Sequence, residues 1–183
     1  MAPSAQGKYR TILIDPPWDN ADSITPKGPF SSYQGGWPYP TMRISEIEKL
    51  PVRSLADSSG CHLYLWAINS FVPHAFYLMQ HWGFKYAQIL TWVKPSGMGH
   101  WWVSRTQHIL FGYIGVMRMK VKHMPNVFGA PALQHSRKPE ISYELIEQVS
   151  HPPRVELFAR YPRDGWDVWG NEVESTVKLE GTV

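Results

Sequence analysis

Two consecutive prolines, Pro16 and Pro17, place the strongest constraint on how this chain can fold. They follow the run Tyr9 to Ile14 (YRTILI), whose β-branched and aliphatic residues favour a strand. Proline has no amide hydrogen and cannot extend a strand within a sheet. The sequence therefore predicts a buried strand that stops abruptly at Asp15, with a carboxylate at its tip.

Strand-like and helix-like segments alternate along the rest of the chain. Strands are predicted at Cys61 to Ala67, Tyr86 to Val93, Gln107 to Gly115, Arg154 to Ala159 and Asp167 to Gly170, with a weaker candidate around Val116 to Val121. Helices are predicted at about Ile44 to Leu50, Ser70 to Trp82 and Pro139 to Val149. This alternation indicates an α/β fold, with a mostly parallel sheet and helices on both faces.

Length and composition exclude several classes of protein. A chain of 183 residues has the size of one domain, and 43% hydrophobic with 18% charged residues excludes a disordered or coiled-coil chain. Apolar runs such as Leu63 to Ile68 are far shorter than the roughly 18 residues of a membrane span. The lone Cys61 and the polar N-terminus predict an intracellular, cytoplasmic protein. One domain is expected over residues 1–183, with disordered-like ends at about 1–7 and 174–183.

Acidic residues are absent from a long central segment. Residues Ser58 to Pro139 contain eight Lys or Arg and no Asp or Glu, while all 15 acids lie in the flanks. Such a segment favours a polyanionic partner. The alternative is that folding places the acidic flanks beside it and neutralises its positive charge. Arg118, Lys120 and Lys122 alternate with apolar residues and would share one face of an extended segment. They are predicted to contact phosphates; a solvated hairpin far from substrate is the alternative.

Asp15-Pro16-Pro17-Trp18 carries the clearest chemical signal. The Asp15 carboxylate and the Pro16 carbonyl offer two acceptors for the two hydrogens of a nucleobase amino group. Trp18 offers a stacking face, worth about 1–3 kcal/mol per base. The lone pair of this amino nitrogen is delocalised into the ring. When both hydrogens are held, the lone pair is localised on the nitrogen, which can then attack the methyl group of a sulfonium donor in line. A prolyl turn capped by Asp15 is the purely structural alternative.

Seven motifs occur in a characteristic order along the chain: Ile14 to Trp18, Tyr39 to Met42, Leu63 to Trp66, Thr91 to Lys94, His135 to Pro139, Glu156 to Arg160 and Trp169 to Glu172. In this order the chain resembles the adenine-N6 methyltransferases of the family named for the seventy-kilodalton subunit of the messenger-RNA adenosine methyltransferase. The resemblance covers about residues 8 to 173. It implies a Rossmann-like S-adenosylmethionine-dependent methyltransferase fold in permuted order, with the catalytic strand first and the cofactor strand last.

The resemblance also implies roles for individual residues. Asp15, Pro16, Pro17 and Trp18 would hold the target adenine, with Tyr39, Trp66 and Lys94 as further substrate contacts. Lys138 would bind the carboxylate of the cofactor's methionine moiety, and the other cofactor contacts would be Asp15, Phe158, Arg160, Asn171 and Glu172. No Gly-X-Gly follows Phe158, so the usual nucleotide-binding fingerprint is missing. No metal site is expected, because no His-X₃-His or Cys-X₂-Cys spacing occurs.

The expected function is S-adenosylmethionine-dependent N6-methylation of adenine in nucleic acid. DNA is the preferred substrate, because the compact chain looks like the small prokaryotic or phage members of the family. An RNA adenosine methyltransferase is one alternative, and a catalytically inert nucleic-acid-binding scaffold is another. The intact Asp15 argues against the scaffold, which has no use for the carboxylate. Nucleic acid is the expected partner, together with a second copy of the chain or a family-related subunit; no membrane partner is expected.

Overall fold

The computed structural model of the chain describes residues 8–24, 40–99, 102–132 and 137–179. Seven strands lie within these ranges: β1 (Thr11–Ile14), β2 (Gly60–Ile68), β3 (Lys85–Met98), β4 (Ser104–Gly115), β5 (Val127–Gly129), β6 (Arg154–Leu157) and β7 (Trp166–Trp169). Four α-helices accompany them: α1 (Ile44–Ile47), α2 (Val52–Leu55), α3 (Val72–His81) and α4 (Glu140–Val149). The strong strand and helix predictions are therefore confirmed as to type. None of the described helices is long and apolar enough to cross a lipid bilayer.

All seven strands form one sheet in the order β5-β3-β4-β2-β1-β6-β7. Strand β4 runs antiparallel to both of its neighbours, and the other neighbouring pairs are parallel. The predicted mostly parallel sheet is confirmed. The carboxyl ends of six strands and the amino end of β4 consequently meet at one end of the sheet, here called the carboxyl end; the opposite end is the amino end.

Side chains of the central strands alternate between two apolar cores. Ile12 and Leu63 point to one core with residues of α3, while Leu13 and Trp66 belong to the other core with Ile146 of α4. This alternation is the period of two that every strand imposes. Helices therefore cover both faces of the sheet, as the sequence predicts, and each core fixes the register of β1 at the centre of the sheet.

Strand β3 is longer than the sequence predicts. Instead of stopping at Val93, it continues through Lys94 and Pro95 to Met98 and pairs with β4 as a long hairpin. The register between the two strands shifts between Val93 and Met98. Pro95 lies in this irregular part, where a residue without an amide hydrogen disturbs the ladder least. Residues 94–98 therefore extend the hairpin of β3 and β4 beyond the predicted strand.

Three other predictions need correction. Val116 to Val121 forms no strand, because Gly115 adopts φ +62° and turns the chain away from β4. Its Cβ would lie 2.5 Å from the Ser59 carbonyl oxygen, so the close approach also requires glycine. The helix expected over 44–50 ends at Ile47, and a separate short helix, α2, follows Pro51. Strand β6 ends at Leu157 and not at Ala159, because Phe158 has φ +64°.

Candidate active site

The Asp15 to Trp18 tetrapeptide leaves β1 at the carboxyl end of the sheet. The Pro16 carbonyl accepts the Trp18 amide at 2.9 Å, and the Pro17 carbonyl accepts the Met42 amide at 2.8 Å. The bond to Trp18 is a turn bond within the tetrapeptide and not part of a sheet ladder. A carbonyl oxygen has two lone pairs, so it retains capacity for a second donor. The turn is held at both prolines, which fixes where the Asp15 carboxylate lies.

Trp18 forms a rigid wall beside this turn. Its ring stacks on Phe71 with centroids 5.1 Å apart, and its indole nitrogen donates to the Trp66 carbonyl at 3.3 Å. Only 8% of the residue is exposed. Phe71 therefore covers one face of the Trp18 ring, and a ligand can contact only the part of the ring that Phe71 does not cover.

Three cavities meet at Asp15 and Arg160, which line all of them. The first, here called the tetrapeptide cavity, is lined also by Pro16, Pro17, Trp18, Phe71, Gln107 and Lys138. The second, the charged cavity, is lined also by Arg137, Lys138, Glu140, Tyr143, Glu156, Phe158 and Arg163. The third is a small cavity lined also by Pro40, Ala159, Asn171 and Glu172. Two ligands could therefore approach one carboxylate from different sides.

Lys138 is the charge partner of Asp15. Its Nζ lies 3.0 Å from Asp15 Oδ1 and 5.0 Å from the centroid of the Trp66 ring. Both side chains are mostly buried, with 11% of Lys138 and 21% of Asp15 exposed. The resemblance implies that both residues contact the cofactor and that Asp15 also holds the target adenine, and the structure brings them into direct contact at the junction of the cavities.

Lys94 belongs to the same neighbourhood. Its ammonium lies 5.7 Å from the Trp92 ring centroid. Burial lowers the pKa of Lys94, and repulsion from the Lys138 ammonium lowers it further. The predicted substrate contact therefore lies on the side of the sheet where Lys138 and Trp66 lie, which the hairpin extension of β3 makes possible. Tyr39, the other predicted contact, falls outside the described residues.

The predicted cofactor residues surround the start of the β6–β7 connection. Arg160 pairs with Glu172 at 3.6 Å, and Phe158 packs edge to face on Trp169. The Ala159 amide donates to the Trp169 carbonyl at 3.0 Å and holds the connection against the end of β7. Sequence reasoning did not identify Gly170, whose Cβ would lie 2.1 Å from the Ala159 carbonyl oxygen. Glycine is therefore required at position 170, where the chain after β7 approaches the start of this connection.

Glu156 and Tyr143 are site residues that the sequence analysis missed. Glu156 is 6% exposed, and its Oε1 accepts the Tyr143 hydroxyl at 2.9 Å. Burial raises the pKa of Glu156 to about 7, and the Asp15 carboxylate adds to the shift. The Tyr143 hydroxyl, Arg163 and Lys138 oppose it. A carboxylate between the apolar residues Val155 and Leu157 of a predicted strand was the available sequence signal.

Gln107 reaches the site only because β4 is antiparallel. It lies opposite Ile68, at the carboxyl end of β2, and lines the tetrapeptide cavity. Among the described residues, Gln107 Oε1 and Trp66 Nε1 are buried without a hydrogen-bond partner. Buried polar atoms in native proteins are normally paired. An acceptor and a donor left unpaired near this cavity are consistent with a polar ligand that completes them.

Arg118, Lys120 and Lys122 do not belong to this site. They follow Gly115, which pairs with Gly60 at the amino end of the sheet. The Lys120 amide donates to the Val149 carbonyl and its ammonium to the Glu147 carbonyl, at the last turn of α4. A cation there stabilises the helix C-terminus. The three residues predicted to contact phosphates therefore lie at the opposite end of the sheet from the cavities that Asp15 lines.

This placement leads to an expected result for the variant in which Arg118, Lys120 and Lys122 are all replaced by Ala. The dependence of log affinity for an oligonucleotide on log salt should stay unchanged, because these cations lie far from the cavities. Contacts with phosphates would instead flatten the slope by about 0.7 to 0.9 per lost contact. Binding measured at several salt concentrations decides between the two, and a flatter slope would show that nucleic acid also reaches the amino end.

Comparison with known proteins gives a consistent set of relatives. The MT-A70 family model matches residues 9–172 of the chain. The type II methyltransferase M.MunI of Mycoplasma sp. is 28% identical, over 91% of this chain and 78% of that protein. The N(6)-adenosine-methyltransferase MT-A70-like of Arabidopsis thaliana is 27% identical, over 91% of this chain and 24% of that protein. The N(6)-adenosine-methyltransferase catalytic subunit METTL3 of Homo sapiens is 25% identical, over 98% of this chain and 31% of that protein. The chain thus spans most of the Mycoplasma protein and under a third of the other two.

Proposed function

The chain belongs to the MT-A70 family, and from this membership we propose that it transfers a methyl group from S-adenosylmethionine to the N6 amino group of adenine in DNA. One observation carries the proposal: the Asp15 carboxylate lines three adjoining cavities at the carboxyl end of the sheet. A two-substrate reaction needs such a junction, because both reactants must meet one catalytic group.

The residues present suit the cofactor. The charged cavity contains side chains of both signs, which fits the zwitterionic methionine end of S-adenosylmethionine. The small cavity beside Asn171 and Glu172 offers amide and carboxylate groups for ribose hydroxyls and for the cofactor's adenine. The cofactor supplies an electrophilic methyl group, and the protein supplies binding and orientation.

The protein's own residues would activate the target amino group. Asp15 accepts one of its hydrogens, and the Pro16 carbonyl accepts the other with its remaining lone pair. Trp18, held by Phe71 and the Trp66 carbonyl, fixes the plane in which the base lies. The two acceptors draw the lone pair back onto nitrogen and place it in line for transfer.

Lys138 would act on Asp15 and not on the base. Its ammonium lies 3.0 Å from Asp15 Oδ1, so it fixes the orientation of the carboxylate through a charge-assisted hydrogen bond. The second carboxylate oxygen then faces the amino group. An inert nucleic-acid-binding scaffold has no use for this arrangement, which favours the enzyme.

The similarity to the type II methyltransferase of Mycoplasma sp. over 78% of its length supports DNA as the substrate class. The names of the adenosine methyltransferase relatives favour RNA as the second candidate. We also propose that the protein works in a prokaryotic cytoplasm, as a homodimer or with a family-related subunit.

A matched assay separates the two substrate classes. Transfer of a tritiated methyl group is measured to DNA and RNA oligonucleotides of the same sequence, each in single-stranded and duplex form. We expect incorporation at least tenfold faster into DNA. Oligonucleotides without adenine serve as the control and should remain unlabelled. Faster labelling of RNA would assign the enzyme to RNA instead.

A further inference from the structure

Asn69 connects β2 and β4 where their pairing ends, at the carboxyl end of the sheet. Ile68 and Gln107 form the last backbone pair of these two strands. Asn69 is the next residue, and its Nδ2 donates to Ser104 Oγ at 2.7 Å and to the Thr106 carbonyl at 3.3 Å. The Asn69 side chain therefore continues the contact between the two strands beyond their last backbone pair.

The partners of the Asn69 amide fix its orientation. The Thr106 carbonyl can only accept a hydrogen bond, so the NH2 group faces Thr106 and Oδ1 faces His108. Oδ1 accepts His108 Nε2 at 2.9 Å, which leaves Nδ1 to accept the Thr91 hydroxyl at 3.1 Å. Burial lowers the pKa of His108, so the ring is neutral at neutral pH and can donate from one nitrogen and accept at the other. We call this network the Asn69 clamp: Asn69, Thr91, Ser104, Thr106 and His108.

Gln107 lies between two residues of the Asn69 clamp, Thr106 and His108. Side chains alternate along a strand, so Thr106 and His108 share the face of Leu110, in the core beside α3. Gln107 shares the opposite face with Ile109, in the core beside α4. The clamp therefore holds β4 from one face, on both sides of a residue that lines the tetrapeptide cavity from the other.

The Gln107 amide needs this support to keep one position. Before Gln107, the start of β4 pairs only with β3, so its other side is held by the clamp. Among the residues that the structure describes, Gln107 Oε1 is buried without a hydrogen-bond partner. Such atoms are normally paired in native proteins. The direction of the amide in the cavity thus depends on where the clamp places the backbone of β4.

We propose that Asn69 is a positioning residue for methyl transfer, which acts by fixing the Gln107 amide in the tetrapeptide cavity against the target base. This inference rests on the proposed function and deepens it. Asn69 itself lines none of the three cavities that meet at Asp15, so its effect passes through Gln107. An amide both donates and accepts, and it can therefore meet the polar edge of a purine.

Asn69→Ala tests the role. Asn69 is exposed, so the fold should be retained, and thermal melting checks this. We expect the rate of methyl transfer to DNA at saturating S-adenosylmethionine to fall about 10- to 100-fold, because a displacement of about 1 Å near the reacting atoms can cost that much. Affinity for S-adenosylhomocysteine should stay close to that of the wild type, because the charged cavity is built from other residues.

Asn126→Ala is the matched control. Asn126 is also exposed, and its Nδ2 donates to the Ile89 carbonyl of β3 at 3.1 Å, so the variant loses the same kind of bond to a strand. Asn126 lines none of the cavities that meet at Asp15, and its variant should transfer methyl groups at the wild-type rate. A normal rate in Asn69→Ala, or an equal loss in both variants, would overturn the positioning role while the proposed function stands.

A double-mutant cycle shows whether Asn69 acts through Gln107. Gln107→Ala alone should slow methyl transfer about as much as Asn69→Ala does. In the Gln107→Ala protein, the further change Asn69→Ala should have little effect, because residues that act through one another are not additive. Losses that multiply in full, or a normal rate in Gln107→Ala, would contradict the inference. If the wild type transfers no methyl group to DNA or RNA, the proposed function fails and this inference fails with it.

Discussion

Asp15→Ala is expected to reduce methyl transfer by a factor of at least 10²–10³, the usual cost of removing one electrostatic contact from a transition state. Asp15 is the residue at which the cavities meet, and it lies where a target amino group would donate. Cofactor affinity should change only a few-fold, because Lys138 remains in the charged cavity. Rates under saturating S-adenosylmethionine, together with calorimetric affinities, separate the two effects.

Glu144→Ala controls for the loss of one carboxylate, since Glu144 is exposed on α4. It should transfer methyl groups at the wild-type rate. Near-normal turnover in Asp15→Ala would show that the amino group is held elsewhere. A collapse of cofactor affinity with an unchanged rate at saturation would move Asp15 from the substrate to the cofactor.

Gly170→Ala should both destabilise the protein and weaken cofactor binding. The added Cβ would lie 2.1 Å from the Ala159 carbonyl oxygen, and the contact is with backbone, so no side chain can move aside. The connection between β6 and β7 must shift, and overpacking of this kind costs about 1–3 kcal/mol. Because Arg160 and Asn171 flank this contact, we expect cofactor affinity to fall more than tenfold.

Gly129→Ala is the matched control, because its Cβ would lie 4.0 Å from the nearest atom, the Val93 carbonyl oxygen. It should change the free energy of unfolding by much less. Urea denaturation and calorimetry on both variants test the comparison. Equal behaviour of the two variants would mean that the β6–β7 connection adapts freely and does not shape the cofactor site.

Local rules were sufficient to predict the tetrapeptide end of the site. Proline is excluded from the interior of a central strand, so the end of β1 and the position of Asp15 at its tip follow from a few adjacent residues. The pairing of Lys138 with Asp15 does not, because it depends on how α4 packs across the sheet. The order of the motifs nevertheless predicted that four residues share one site. All four line the charged cavity: Asp15, Lys138, Phe158 and Arg160.

The errors came from properties that a linear pattern does not contain. Gln107 could not be assigned to the site because no residue pattern near it indicates that β4 runs antiparallel. The position of Lys120 could not be predicted, because the distribution of charge along a sequence does not show which end of the sheet a charged segment occupies. Gly115, at the amino end of the sheet, has a positive φ, and the segment that contains Lys120 follows it there. Glu156 was overlooked because one polar residue in a strand is common, and its cost is visible only once burial is known.

The central claim, methyl transfer to the N6 of adenine at the Asp15 site, is tested most directly by analysing the modified nucleosides. DNA is incubated with S-adenosylmethionine labelled in its methyl group, then digested and examined by mass spectrometry. We predict that the wild type produces N6-methyl-2′-deoxyadenosine as the labelled nucleoside and that Asp15→Ala produces at least a hundredfold less. Label on cytosine, no label in DNA or RNA, or equal N6-methyladenine from Asp15→Ala would contradict the account.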